Sequence, residues 1–238
     1  MLELNRIYNE NCLEGMKQFP DKYFELAIVD PPYGIGIDGG IGGGVLAKKS
    51  SFKKKHWDND SPSEEYFKEL FRVSKNQIIW GANHFIHKFA KSSSCWIVWD
   101  KDNGENYFAD CELAYTSFKS AVRKFTFKWQ GMLQGNMKIK EQKIHPTQKP
   151  VALYEWLLNN YAKKGDKILD THVGSASSLI ACHKLGFQYV GFELDEDYFK
   201  SATARLEAVK SQISIFDEPE PTEQWEQVSL YDTKRLSK

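Results

Sequence analysis

Short apolar runs alternate along this chain with stretches whose apolar positions recur every three to four residues, and the two periods predict strands and helices in turn. Residues 26–29, 77–80, 95–99, 113–117, 122–127, 167–170 and 189–192 carry the compact apolar runs of strands. Residues 13–19, 61–73, 82–89, 151–161, 178–185 and 195–209 carry the helical spacing. Ser61-Pro62-Ser63-Glu64 supplies a capping box with proline at the first helical position, and Pro150 precedes the helix at 151. Alternation of the two element types predicts an α/β fold, with a mostly parallel sheet and helices on both faces.

The gaps in the pattern divide the chain. Residues 34–60 are rich in Gly and Lys and read as a mobile loop. Residues 129–143 show no clear period. Beyond Ile215 the chain turns acidic, so a single domain over 1–215 and a frayed acidic tail over 216–238 are expected.

Composition narrows the function. With 32 basic and 32 acidic residues, affinity for a polyanion has to come from segregated charge. Lys48, Lys49, Lys53, Lys54 and Lys55 form one cluster, and Lys119, Arg123, Lys124, Lys128, Lys138, Lys140 and Lys143 another. Solvated faces use the same composition. The four cysteines, Cys12, Cys95, Cys111 and Cys182, show no metal-ligand or disulfide spacing, so no metal is expected. No apolar stretch is long enough to span a bilayer and residues 1–11 lack the core of a signal peptide. A reduced, cytoplasmic protein without membrane contact is expected.

Two constellations carry candidate chemistry. Asp30-Pro31-Pro32-Tyr33 closes the strand at 26–29, where open α/β sheets place ligands. A carboxylate and a carbonyl on a proline-stiffened turn, beside a phenol ring, suit a planar base with an exocyclic amine. Strand-ending turns use the same residues. The second constellation is strand 167–170, the small-residue turn Thr171-His172-Val173-Gly174-Ser175-Ala176 and a helix start, with Glu193 about 20 residues further on. Small side chains admit a nucleotide-like ligand close to the backbone. The shortage of glycine favours an adenosine without a pyrophosphate, which points to S-adenosylmethionine.

Together these motifs resemble the DNA amino-methyltransferases, which methylate adenine N6 or cytosine N4, in the motif order of the beta group. The resemblance covers roughly residues 5–206 and includes His145-Pro146-Thr147-Gln148-Lys149-Pro150. It implies a Rossmann-like methyltransferase fold with a target-recognition insert at about 118–144. It also implies that Asp30, Pro31, Pro32 and Tyr33 are catalytic. The cofactor set it implies is Asp170, His172, Gly174, Ser175, Ser177, Glu193, Asn11, Thr147 and Lys149. Two positions depart from the family's pattern: His172 replaces an aromatic, either lining the site or packing in its place, and Ala176 replaces a glycine, a change tolerated if its φ is negative.

The function so implied is S-adenosylmethionine-dependent methylation of adenine N6 in double-stranded DNA at a specific sequence, by base flipping and direct transfer. Cytosine N4 is the alternative target. The competing class is a nucleic-acid-binding protein that keeps the fold without turnover. Carbon-5 cytosine chemistry is excluded, because it needs a thiolate nucleophile, usually from a Pro-Cys pair, and no cysteine here follows a proline. Lys53, Lys54, Lys55, Arg123, Lys128 and Trp129 are the candidate DNA contacts; the aromatics between the basic residues either stack on bases or face the core. A homodimer and a cognate restriction nuclease stay open as partners.

Overall fold

The structure, a computed structural model, describes residues 1–37, 55, 57–104, 109–130, 133–138 and 140–212. Lys53, Lys54, most of the loop expected at 34–60 and the expected tail lie outside the described residues. In chain order the elements are β1 (Arg6–Tyr8), α1 (Cys12–Lys17), β2 (Phe24–Val29), α2 (Glu64–Val73), β3 (Ser74–Trp80), β4 (Trp96–Asp100), β5 (Cys111–Thr116) and β6 (Arg123–Thr126). There follow β7 (Trp129–Gln130), β8 (Leu133–Gln134), α3 (Val151–Tyr161), β9 (Lys167–Asp170), α4 (Ser177–Lys184), β10 (Gln188–Phe192) and α5 (Glu196–Lys210).

One sheet has the order β1-β10-β9-β2-β3-β5-β4-β6, and its neighbours are parallel except where β5 meets β3 and β4. Alternate residues of its strands feed two cores. Leu26, Ile28, Ile78 and Trp80 pack with α3, α4 and α5, while Ala27, Val29 and Ile79 pack with α1 and α2. This is the α/β fold with helices on both faces that the periodicity predicts.

Local chemistry moves several boundaries. The α2 helix starts later than the expected cap, with Ser63 Oγ accepting from the Tyr66 N–H at 3.2 Å. Ser61 is engaged elsewhere: its carbonyl and hydroxyl accept from Lys88 Nζ at 3.1 and 2.7 Å. The helix expected over 82–89 is two short 3₁₀ turns, Ala82–His84 and Ile86–Lys88, broken at Phe85. Phe85 leaves helical geometry at φ −141° while its ring is fully buried against Phe67. The three-residue β1, too short for a periodic signal, pairs with β10 at the sheet edge.

The region expected as an insert is tied into the domain. Its β6 lies parallel to β4 and extends the main sheet, while β7 and β8 form a small hairpin. Phe125 and Phe127 pack on the core, and Phe125 also meets Trp156 at 5.4 Å. Trp129 corrects the expectation of a DNA contact. It is 7% exposed and its Nε1–H donates to the Gln148 carbonyl at 2.7 Å, because an indole that is buried needs an acceptor. We predict that Trp129→Ala lowers folding stability by about 3–5 kcal/mol, measured by denaturant unfolding.

Candidate active site

The chain leaves β2 at Asp30 and turns at once. That turn is held by Asp58, a buried carboxylate that accepts from the Tyr33 and Gly34 N–H groups at 2.7 and 3.0 Å through Oδ1 and from Ile37 N–H at 2.8 Å through Oδ2. Sequence reasoning missed Asp58, which lies in a polar stretch with no periodic or motif signal. Both ends of the expected loop are thereby fastened to the site.

Asp30 lies in a cluster of buried charge. Its Oδ2 meets Lys149 Nζ at 2.5 Å and its Oδ1 accepts from the Tyr33 hydroxyl at 2.9 Å. Lys149 also pairs with Glu112 at 3.0 Å, and Glu112 with Lys101 at 2.6 Å. Burial pushes the Asp30 carboxyl up against the pull of Lys149. Burial also opposes ionisation of Glu112, yet Lys149 and Lys101 hold it down at about 2. Lys149 stays charged: burial disfavours the cation, but Asp30 and Glu112 raise its pKa.

This corrects the expected place of Lys149, which stands beside Asp30 rather than at the cofactor loop. A buried ammonium goes where carboxylates are. Glu112 and Lys101 had no sequence signal.

Tyr33 is backed by the turn after β3. The His84 ring stacks on it at 5.2 Å between centroids and 17° between planes. Gly81 has φ +66°, and a Cβ there would stand 2.1 Å from Tyr33 Cε1, so only glycine fits. Asn83 and His84 form the exposed end of that turn.

The second constellation lies beside the first. The central strands β2 and β9 are parallel neighbours with Ala27 opposite Leu169, so Asp30 and Asp170 leave the same sheet edge. Asp170 accepts from the His172 N–H at 3.0 Å and from the Ser178 hydroxyl. Burial outweighs these bonds and pushes its pKa up to about 7. Glu193 follows β10 and accepts from the Gly174 and Asp195 N–H groups at 2.8 and 2.9 Å, while burial raises its pKa.

The remaining expected cofactor residues divide. Gly174 lies on the loop with the His145 ring nearest its Cβ direction, at 3.6 Å. His172 follows the packing reading: its ring meets Tyr66 edge-on at 5.5 Å, its Nδ1 pairs with the Thr171 hydroxyl at 2.9 Å, and burial lowers its pKa to about 4. Ser175 and Ser177 are buried, and Arg205 donates to the Ser175 carbonyl at 2.7 Å and the Ser177 hydroxyl at 2.9 Å. Ser177 therefore packs behind the loop, a correction. Asn11 caps α1, accepting from the Leu13 N–H at 2.9 Å, and Thr147 pairs with His145 Nδ1 at 3.2 Å. Ala176 has φ +62°, against the negative value its tolerance calls for, a strain of about 1–2 kcal/mol.

The expected DNA cations are dispersed. Lys55 pairs with Asp195 at 2.6 Å and Asp197 at 2.7 Å and lies over the Tyr198 ring, a correction that makes it a tether rather than a free phosphate ligand. Arg123 is exposed, and Lys128 pairs with Asp102 at 3.3 Å. Trp57, His145 and Tyr198 form an aromatic row beside the tether, with centroid distances of 5.2 and 4.3 Å.

A protein family described as DNA methylase matches residues 24–204, a span that includes Asp30–Tyr33, Asp170–Ser177 and Glu193. The chain belongs to this family of N6/N4 DNA methylases. The methylase is 26% identical over 254 residues to the type II methyltransferase M.HpaI of Haemophilus parainfluenzae, covering 90% of this chain and 77% of that protein. Its fold matches the crystal structure of an M1.HpyAVI–SAM complex with a TM-score of 0.52 at 24% identity, covering 84% of this chain and 98% of the other. It also matches the cytosine-N4-specific PvuII DNA methyltransferase with a TM-score of 0.56 at 12% identity, covering 86% and 89%. Among the described residues, no helix of the methylase is long and apolar enough to cross a membrane.

Two predictions follow from this geometry. Asp58→Ala removes three backbone anchors of the Asp30–Tyr33 turn, so methyl transfer is expected to fall by at least about tenfold while circular dichroism keeps the native spectrum. His145 is held neutral: burial and then Lys149 lower its pKa to about 3. The unfolded imidazole binds a proton near pH 6.5 and the folded one does not. Stability contributed by the neutral ring is therefore present above pH 6.5 and lost as pH falls towards 3, at no more than about 1.4 kcal/mol per pH unit. His145→Phe is expected to flatten this acid limb in unfolding measurements.

Proposed function

We propose that this methylase transfers the methyl group of S-adenosylmethionine to the N6 amine of adenine in double-stranded DNA at a specific sequence. The observation that carries the reading is the opening of Asp30 and Asp170 on one sheet edge from adjacent parallel strands. Membership in the methylase family and similarity to a type II methyltransferase support DNA as substrate and a defined target site. Asp at the head of the tetrapeptide, in the resemblance, favours adenine over cytosine.

The second constellation fits the cofactor by its chemistry. Asp170 and Glu193 accept from backbone N–H groups and a hydroxyl, and burial beside neighbouring carboxylates raises both pKa values, so the loop favours a ligand that brings positive charge and hydrogen-bond donors. A ligand with ribose hydroxyls and a positive charge answers both. Glu193 is the acceptor for the hydroxyls, and the Thr171–Gly174 turn supplies close backbone approach. When bound, S-adenosylmethionine supplies an electrophilic methyl on a cationic sulfur.

The protein's own part is positioning. An adenine amine is a poor nucleophile because its lone pair is delocalised into the ring. Asp30 and the Pro31 carbonyl accept its two hydrogens and localise that pair towards the neighbouring constellation. Extruding the base costs a few kcal/mol, and stacking on Tyr33 returns about 1–3 kcal/mol. After transfer, the buried Asp30 carboxylate, pushed up by burial, accepts the surplus proton.

Labelled methyl transfer to duplex DNA, followed by nucleoside separation, tests this. N6-methyladenine is expected. N4-methylcytosine would reassign the target base, and no label in DNA would overturn the function. Asp30→Ala should lower transfer by about a hundredfold or more with cofactor binding retained in calorimetry. Tyr33→Phe should keep more activity than Tyr33→Ala; equal losses would refute stacking.

A further inference from the structure

Asp30 has to accept hydrogens from a target amine, yet both of its oxygens already have partners. Lys149 takes Oδ2 at 2.5 Å and the Tyr33 hydroxyl takes Oδ1 at 2.9 Å. Glu112 enters from β5 and touches both competitors, standing 3.0 Å from Lys149 Nζ and 3.3 Å from the Tyr33 hydroxyl through Oε2. Its other oxygen meets Lys101 at 2.6 Å. Two carboxylates and two ammonium groups thus form a balanced chain from Asp30 to the surface, with Lys101 at the partly exposed end.

We propose that Glu112 is a positioning residue for methyl transfer, dividing the charge of Lys149 and offering the Tyr33 hydroxyl a second acceptor so that Asp30 stays available to the target amine. This rests on the proposed transfer reaction. Without Glu112, Lys149 belongs to Asp30 alone and the Tyr33 proton has one carboxylate to choose. Asp30 is then a weaker acceptor held in a tighter pair. The hydroxyl needs only a torsional turn to change partners, since both oxygens are already within 3.3 Å.

The direction of the effect on Asp30 follows from what faces it. Lys149 approaches from the segment before α3 and Glu112 from β5; Tyr33 lies in its own turn, Asp170 on β9, Tyr66 on α2 and Tyr154 on α3. Of these, Lys149 is the cation and Glu112 the anion that shares it. Neutralising Glu112 favours ionised Asp30. Neutralising Lys101 leaves Glu112 less balanced and favours protonated Asp30.

The test reads the Asp30 carboxyl titration by carbon NMR in the free protein, together with the pH profile of kcat. Glu112→Gln is expected to move the titration down by about one pH unit and to lower kcat about tenfold or more, with the KM for S-adenosylmethionine unchanged. Lys101→Met is expected to move it up. An unmoved titration in either variant, shifts in the same direction, or unchanged kcat in Glu112→Gln overturns the proposal. If Glu112→Gln does not fold, Lys101→Met, at a partly exposed side chain, decides alone. The titration needs no substrate, so a wild-type protein that fails to methylate DNA refutes the function and leaves this electrostatic assignment separately readable.

Discussion

The ammonium of Lys149, 3% exposed and shared by Asp30 and Glu112, is the interaction on which the turn after β2 depends. Removing one partner of a buried pair leaves an uncompensated charge at a cost of about 3–5 kcal/mol. That penalty forces three distant parts of the chain to converge: the end of β2, the start of β5 and the segment before α3. The rings of Trp80 and Tyr33, 5.5 and 5.6 Å from the nitrogen, add π faces around the cation. The same ammonium that fastens these segments also sets the charge state of the carboxylate assigned to the chemistry, so stability and reactivity share one group.

The cofactor side is arranged differently. Its carboxylates, Asp170 and Glu193, are satisfied by backbone N–H groups and a hydroxyl rather than by cations. Backbone bonds fix their orientation while leaving their charge without a permanent partner. The Asp30 cluster is therefore held by lysines and the Asp170–Glu193 pair by neutral donors, and this contrast supports the assignment of amine capture to the first and a cationic donor to the second.

Much of this was legible in the sequence. Compact apolar runs mark β2 and β9, and the 3.6-residue period marks α3 and the helices on both faces, because their buried faces are continuous. The two motif-bearing turns were found because prolines and small residues punctuate strand ends. The rest was hidden for physical reasons. Asp58, Glu112 and Lys101 act across 25, 79 and 11 positions of chain, and nothing in their neighbours announces a partner. An indole among lysines has the same sequence signature whether it faces DNA or the core, so the burial of Trp129 is visible only in the fold. The partner of Lys55, Asp195, is set by tertiary approach across 140 positions and leaves no trace in the local sequence. Ala176 lacks the glycine its left-handed backbone favours, and only the fold reveals that angle.

The order of the strands has a consequence for synthesis. β9 lies between β10 and β2, yet about 140 residues of chain separate Leu26 from its partner Ile168. A ribosome therefore delivers β2 long before the strand that covers its flank, and the emerging half-sheet displays an unpaired edge. Neither the Asp30 cluster, which needs Lys149, nor the Asp170 loop can be completed until the later part of the chain arrives. The strand ends at Asp30 and Asp170 thus close together, late in synthesis, and that flank of β2 stays unpaired until then.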